Sequence, residues 1–140
     1  PLYYAPQLAM MTGELEDAGV LLERASELLS EEPLIVSLQG IYHVLNGDDR
    51  RALDCVSKAC ASPKSFGHAH HSYYQLACIF ALLGERETAF DWLERSVSSG
   101  FACWPFFLKD PFLEKVRELP SFEALVNSLQ GKYPADLGSF

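Results

Sequence analysis

A glycine at a predicted turn occurs three times along the chain, and its spacing constrains the fold more than any other feature. Gly13, Gly47 and Gly84 are separated by 34 residues (13 to 47) and by 37 residues (47 to 84). Two sets of small residues recur at the same two intervals: Ala18, Ala52 and Ala89, and Ala25, Ala59 and Ser96. A period of this length with a glycine at its turn indicates a repeated unit of helix, turn and helix.

The best-formed copy of this unit lies in the stretch from residue 71 to residue 107. Its first predicted helix carries four residues at i, i+3, i+4 and i+7, which places them on one face: Tyr73, Leu76, Ala77 and Phe80. Gly84 breaks this pattern, and a second helix is predicted from about Glu85. The second helix has one row of small and apolar residues: Ala89, Leu93 and Ser96. The small side chains at both ends of that row predict close packing of the two helices.

This organisation resembles the tetratricopeptide repeat family, and the resemblance covers about residues 1–100. It implies an all-α fold, a right-handed αα superhelix of about three helical hairpins with a C-terminal helical cap. The hairpins correspond to about residues 1–33, 34–67 and 68–100. The second copy departs from the family pattern, because Gln39 replaces a leucine and His43 replaces an aromatic residue. In the first copy Pro6 falls inside the first predicted helix, so it should kink that helix or mark its true start.

The pattern changes in residues 101–130. Asp110 before Pro111 predicts a helix start, because it supplies a cap acceptor and puts proline where no amide donor is needed. Pro120 and Ser121 start a last helix that extends to about Gln130. The segment resembles the one that closes tetratricopeptide arrays in bacterial signalling proteins, which implies a cap over the last repeat. Five aromatic residues can supply this cap: Phe101, Trp104, Phe106, Phe107 and Phe112. Residues 131–140 are predicted to form a loose tail.

Length and charge limit the class of protein. A chain of 140 residues is long enough to bury one core, and its net charge of −8 disfavours binding to nucleic acid or to an anionic membrane. The sequence has neither an apolar run of bilayer-spanning length nor a targeting segment. It begins at Pro1. We therefore expect a cytoplasmic fragment of a larger, bacterial signalling protein.

The cysteine and histidine residues are the candidates for chemistry. Four cysteines occur without a CxxC pair, which favours reduced structural thiols over disulfides or a zinc site. The cluster His68, His70 and His71 could bind a metal with Cys78, but without i, i+4 spacing a solvated loop is the preferred interpretation. His71 and Cys78 are two helical turns apart, about 10 Å, too far for direct proton transfer. We therefore expect no enzyme activity, no cofactor and no metal.

The resemblance also implies a concave groove lined by the first helix of each hairpin. The groove positions are largely apolar: Tyr3, Gln7, Met10, Leu34, Ser37, Ile41, His71, Tyr74 and Cys78. The family's carboxylate clamp of lysine, arginine and asparagine has no counterpart at these positions. A competing interpretation is that some of these residues bury each other or contact the C-terminal segment.

The expected function is a non-catalytic scaffold for protein–protein interaction. Its partner would be a protein or peptide with an apolar anchor on a neutral or basic segment, and neither nucleic acid nor membrane is expected to bind. Tyr74 lies at the centre of the predicted groove. One alternative is a homo-oligomer in which the C-terminal segment or tail fills the groove of a neighbouring molecule. A second alternative is a small metal protein or enzyme that uses cysteine and histidine.

Overall fold

A computed structural model describes residues 3–30, 32–61 and 69–134, and within these ranges every regular element is helical. Two short 3₁₀ helices, Pro111–Leu113 and Val116–Glu118, lie between the last two α-helices. The α-helices are α1 (Tyr4–Met11), α2 (Leu15–Leu29), α3 (Pro33–Leu45), α4 (Asp49–Ala61), α5 (Ala69–Leu82), α6 (Arg86–Ser98), α7 (Trp104–Lys109) and α8 (Pro120–Lys132). The all-α prediction is therefore confirmed for the described ranges.

The three predicted turns share one backbone geometry. Gly13, Gly47 and Gly84 have positive φ angles of 83°, 79° and 85°. In each turn the amide after the glycine donates to the carbonyl five residues earlier, as Glu14 does to Ala9 at 2.8 Å. This left-handed helix ending favours glycine because a Cβ atom there is strained. The glycine spacing in the sequence thus located all three turns correctly.

The two helices that a glycine turn connects pack against each other, so α1 contacts α2, α3 contacts α4 and α5 contacts α6. Helix α3 also contacts α2 and α5 and therefore lies inside the stack. Small residues make these approaches possible. A Cβ atom added to Gly40 would lie 2.6 Å from Cδ1 of Ile79, and one added to Gly19 would lie 2.8 Å from the Tyr42 hydroxyl. The absence of a side chain at Gly19 and Gly40 therefore allows close contact between the helices.

Ala52 on α4 and Ala89 on α6 have no exposed surface. We expect Ala52→Leu and Ala89→Leu each to lower the free energy of unfolding by about 1–3 kcal/mol, because a larger side chain overpacks the contact. Urea denaturation followed by circular dichroism measures this loss. Ala124→Leu on the exposed face of α8 is the control and should change stability by less than about 0.5 kcal/mol. Unchanged midpoints for both core variants would contradict the repeat alignment.

The segment after α6 completes the core. Phe107 and Phe112 are buried, while Phe101, Trp104 and Phe106 are half-buried against the same core. The side chain of Arg117 donates to the carbonyls of Phe107 and Asp110 at 2.9 and 2.7 Å, which closes the end of α7. These contacts pack the aromatic residues of the C-terminal segment against the core.

The structure also shows where the predicted helix starts lie. Asp110 caps the first 3₁₀ helix, since its Oδ1 accepts from the Phe112 amide at 2.9 Å, and Pro120 begins α8 as predicted. Pro6 lies in the first turn of α1, so it marks the start of that helix. The predicted loop around Pro63 and most of the predicted tail lie outside the described residues.

Candidate functional site

A cavity of about 760 Å³ lies between α1, the first turns of α5 and the segment 101–109. Helix α1 and the residue before it contribute the largest share of the lining: Tyr3, Tyr4, Ala5, Gln7, Leu8 and Met11. Helix α5 contributes His71, Tyr74 and Gln75. The C-terminal segment contributes Phe101, Cys103, Pro105, Phe106 and Lys109. The volume is in the range of about 300–1,000 Å³ that is usual for ligand sites, and the lining is mainly apolar and aromatic.

The predicted groove residues divide into two groups. Four of them line the cavity: Tyr3, Gln7, His71 and Tyr74. Five are buried inside the helical stack: Met10, Leu34, Ser37, Ile41 and Cys78. The division follows from the position of α3, which packs between its neighbours and buries the face that the sequence assigned to the groove. Helix α3 contributes no residue to the cavity.

The C-terminal segment replaces α3 as a wall of the cavity. Phe101 and Phe106 were predicted only as cap residues, and Lys109 and Gln75 had no predicted role. Phe101 and Phe106 both pack against the core and line the cavity. The sequence signal that could have identified Gln75 is its polar side chain, which stands next to the apolar residues of α5.

Tyr74 supports the cavity wall from inside the protein. Its hydroxyl donates a hydrogen bond to Oδ2 of Asp110, and its ring stacks on Phe107 with centroids 5.6 Å apart. Sγ of Cys78 lies 3.9 Å from the same Oδ2 atom. Tyr74, Cys78 and Asp110 are all buried. This buried cluster joins α5 to the C-terminal segment, so Tyr74 is a core residue as well as a lining residue.

Burial sets the protonation of the cluster. It raises the pKa of Asp110, although hydrogen bonds from Tyr74 and the Phe112 amide oppose the shift. Burial also raises the pKa of Tyr74 and of Cys78 well above their ordinary values. Both groups therefore keep their protons near neutral pH and can donate to the carboxyl group. Cys78 in its thiol form is a poor nucleophile and a poor metal ligand.

Gln75 is the buried polar group of the cavity wall. Its side chain is 2% exposed, and its Oε1 atom accepts no hydrogen bond from the described residues. Lys109 is exposed at the other side of the cavity and forms no ion pair within the described ranges. No aspartate or glutamate of the described chain lines the cavity. The cavity wall therefore combines aromatic side chains with the buried residue Gln75 and the exposed residue Lys109.

The histidine cluster differs from its prediction. His70 lies inside α5, not before it, and its ring centroid is 4.2 Å from that of His71. His71 also contacts Phe101, with ring centroids 5.1 Å apart, while His68 lies outside the described residues. Within the described ranges, no group of three or more metal-ligating side chains is close enough to hold an ion.

No helix within the described ranges has both the length and the apolar character needed to cross a bilayer. All four cysteines are free thiols. Comparison of the chain with family models, with curated proteins and with solved structures finds no match.

Proposed function

We propose that this chain is a non-catalytic protein interaction module that binds a segment of a partner protein in the aromatic cavity. The observation that carries the proposal is the large apolar cavity, whose walls come from three separate parts of the chain. A surface assembled from rigid helices binds without a large ordering cost. The tetratricopeptide-like arrangement, a right-handed superhelix of three hairpins, is part of the same proposal. It is supported by the three equivalent glycine turns.

The lining and the charge of the chain together favour one kind of partner. Apolar walls stabilise a bound segment mainly by burying its apolar side chains. The net charge of −8 repels an acidic segment, so the segment that carries the anchor should be neutral or basic. Free cysteine thiols favour a reducing compartment such as the cytoplasm.

Tyr4 is the best residue for testing this site. It lines the cavity and is 54% exposed, so its removal should not disturb the core. Tyr74, the centre of the predicted groove, is unsuitable because its replacement would break the buried cluster. We expect Tyr4→Ala to weaken binding of the selected peptides by at least about fivefold, because it removes an aromatic contact at the site. Peptides selected from a random phage-displayed library, with affinities measured by fluorescence anisotropy, provide the readout.

Tyr133→Ala is the matched control for that experiment. Tyr133 is 56% exposed, on the residue after α8, and does not line the cavity. Its replacement should leave peptide affinity unchanged. Equal affinity loss in both variants, or loss only in Tyr133→Ala, would place the binding surface elsewhere and contradict the proposal.

Self-association is a second candidate because apolar side chains are exposed on the first two helices. The exposed residues are Tyr4, Leu8, Val20, Leu28 and Leu29. A second cavity between α1 and α2 includes Leu8 and Val20. Sedimentation equilibrium distinguishes this candidate, since a mass that stays monomeric at all tested concentrations would eliminate it.

A further inference from the structure

We infer that the surface between α1 and α2 is a second docking site, and that it binds a basic helix of a partner protein through a small residue of that helix. This inference goes beyond the proposed function, because the surface differs from the aromatic cavity in its charge and in most of its residues. We call it the α1–α2 groove. It has a volume of about 500 Å³, and six of its lining residues carry the argument: Leu8, Ala9, Glu14, Asp17, Val20 and Leu21.

The first observation is that apolar side chains are exposed on this surface. Of the eight large apolar side chains exposed in the described chain, five lie on α1 and α2. Two of them line the groove, since Leu8 is 63% exposed and Val20 is 51% exposed. Seven residues after the turn glycine, where α2 has Val20, the later hairpins have the exposed residues Asp54 and Asp91. An apolar residue at this position therefore belongs to the first hairpin alone, and exposed apolar patches of this kind mark interaction sites.

The second observation comes from the two equivalents of Leu8. Leu8, Tyr42 and Ile79 each lie five residues before the turn glycine of their hairpin. A Cβ atom added to Gly19 on α2 would lie 2.8 Å from the Tyr42 hydroxyl, and one added to Gly40 on α3 would lie 2.6 Å from Cδ1 of Ile79. In the second and third hairpins this side chain therefore packs against a glycine of an earlier helix. Leu8 remains exposed, so the equivalent contact calls for a helix with a glycine or alanine opposite Leu8.

The third observation is charge. The charged side chains that line the α1–α2 groove are Glu14 and Asp17, and no described lysine or arginine accompanies them there. Both carboxylates are exposed, so lysine or arginine at the edge of a bound helix would gain attraction without burial of a charge. A second copy of this chain fits less well, because two molecules of net charge −8 repel each other. The occupant that satisfies all three observations is a basic helix with a small residue on its apolar face.

Three designed helical peptides of about 20 residues test this inference, since shorter isolated helices are marginal in water. The first carries a row of alanines between leucines on one face and lysines on the rest of its surface. The second has glutamates in place of the lysines, and the third has phenylalanines in place of the alanine row. Each peptide is labelled with fluorescein and titrated with the whole chain, and its anisotropy is measured at low and at high salt.

We expect the first peptide to bind at least about tenfold more tightly than the second at low salt, with a smaller ratio at high salt, because screening weakens exposed charge pairs. It should also bind about fivefold more tightly than the third, because a row of large side chains overpacks the contact with Leu8.

Three variants assign binding to the groove. Leu8→Ala should weaken binding of the first peptide at least about fivefold, and Val20→Ala, which lies outside the aromatic cavity, should weaken it about threefold. Asp17→Asn should weaken it about threefold at low salt and less at high salt. The side chains are exposed, so circular dichroism should show an unchanged fold. The matched controls are Leu53→Ala and Asp54→Asn on α4, which should keep the wild-type affinity.

The opposite results would overturn the inference. Absence of binding of the first peptide, or equal affinity for the lysine and glutamate peptides, would reject a basic helix as the occupant. Tighter binding of the phenylalanine peptide would reject the small residue opposite Leu8. Losses in Leu53→Ala or Asp54→Asn equal to those in the groove variants would place the helix elsewhere. Dimers in sedimentation equilibrium that Val20→Ala dissociates would show that a second copy fills the groove. None of these results tests the aromatic cavity, which the Tyr4→Ala assay decides separately.

Discussion

Asp110→Ala should lower the free energy of unfolding by at least about 3 kcal/mol, because it leaves three buried donors without an acceptor. The Asp110 side chain has no exposed surface and accepts from the Tyr74 hydroxyl, from the Cys78 thiol and from the Phe112 amide. The substitution also removes the hydrogen bonds that join α5 to Asp110 in the C-terminal segment.

Urea denaturation followed by circular dichroism measures this effect. Asp54→Ala is the control, since Asp54 is an exposed aspartate on α4, and it should change stability by less than about 0.5 kcal/mol. A midpoint for Asp110→Ala equal to that of the wild-type protein would show that the buried cluster does not stabilise the fold.

The pH dependence of Asp110 has a defined sign. Burial raises its folded-state pKa above the ordinary value of 3.8, so the folded protein binds this proton more tightly than the unfolded chain does. Its contribution to stability is therefore largest below pH 3.8 and falls as pH rises through the folded-state pKa. Tyr74 and Cys78 stay protonated in this range, because their own pKa values are raised.

Asp110→Asn isolates this titration because asparagine keeps one acceptor and carries no titrating proton. The stability of the wild-type protein relative to Asp110→Asn should fall as pH rises from about 4 towards neutrality. Urea unfolding of both proteins at a series of pH values gives the difference, which cancels the contribution of the other carboxyl groups. A difference that grows with pH would reverse the assignment.

Phe107→Ala should lower the free energy of unfolding by about 3–5 kcal/mol, because truncating a buried phenylalanine leaves a cavity that the surrounding structure cannot fill. Phe107 has no exposed surface. Its ring stacks on Tyr74 and meets Phe101 edge-on, with centroids 5.6 and 5.7 Å apart. Phe107 therefore contacts two residues that line the aromatic cavity, Tyr74 and Phe101.

Leu108→Ala is the control for Phe107→Ala, because the neighbouring leucine on the same helix is exposed. It should change the free energy of unfolding by less than about 0.5 kcal/mol. Comparable losses in the two variants would indicate that α7 as a whole, and not the Phe107 contact, determines stability. Thermal unfolding monitored by circular dichroism provides the measurement.

Local signals in the sequence located most of the helices and their ends. Gly13, Gly47 and Gly84 each adopt the left-handed backbone conformation of a turn. Glycine is favoured at such a position because a residue with a Cβ atom would be strained in that conformation. Asp110 before Pro111 specifies a cap, and Pro120 specifies a helix start, through interactions within a few residues. Each of these features depends on neighbours along the chain, so the sequence alone determined them.

The cavity depended on contacts between distant parts of the chain. Periodicity placed Leu34, Ser37 and Ile41 on one face of α3, but only the packing of α2 and α5 against that helix showed this face to be buried. Sequence spacing likewise cannot show that Asp110 lies beside Tyr74, 36 residues earlier, or that Oε1 of Gln75 accepts no hydrogen bond from the described residues. These properties depend on helix positions in three dimensions. The tertiary structure therefore decided where the cavity lies and which polar groups remain unpaired at its wall.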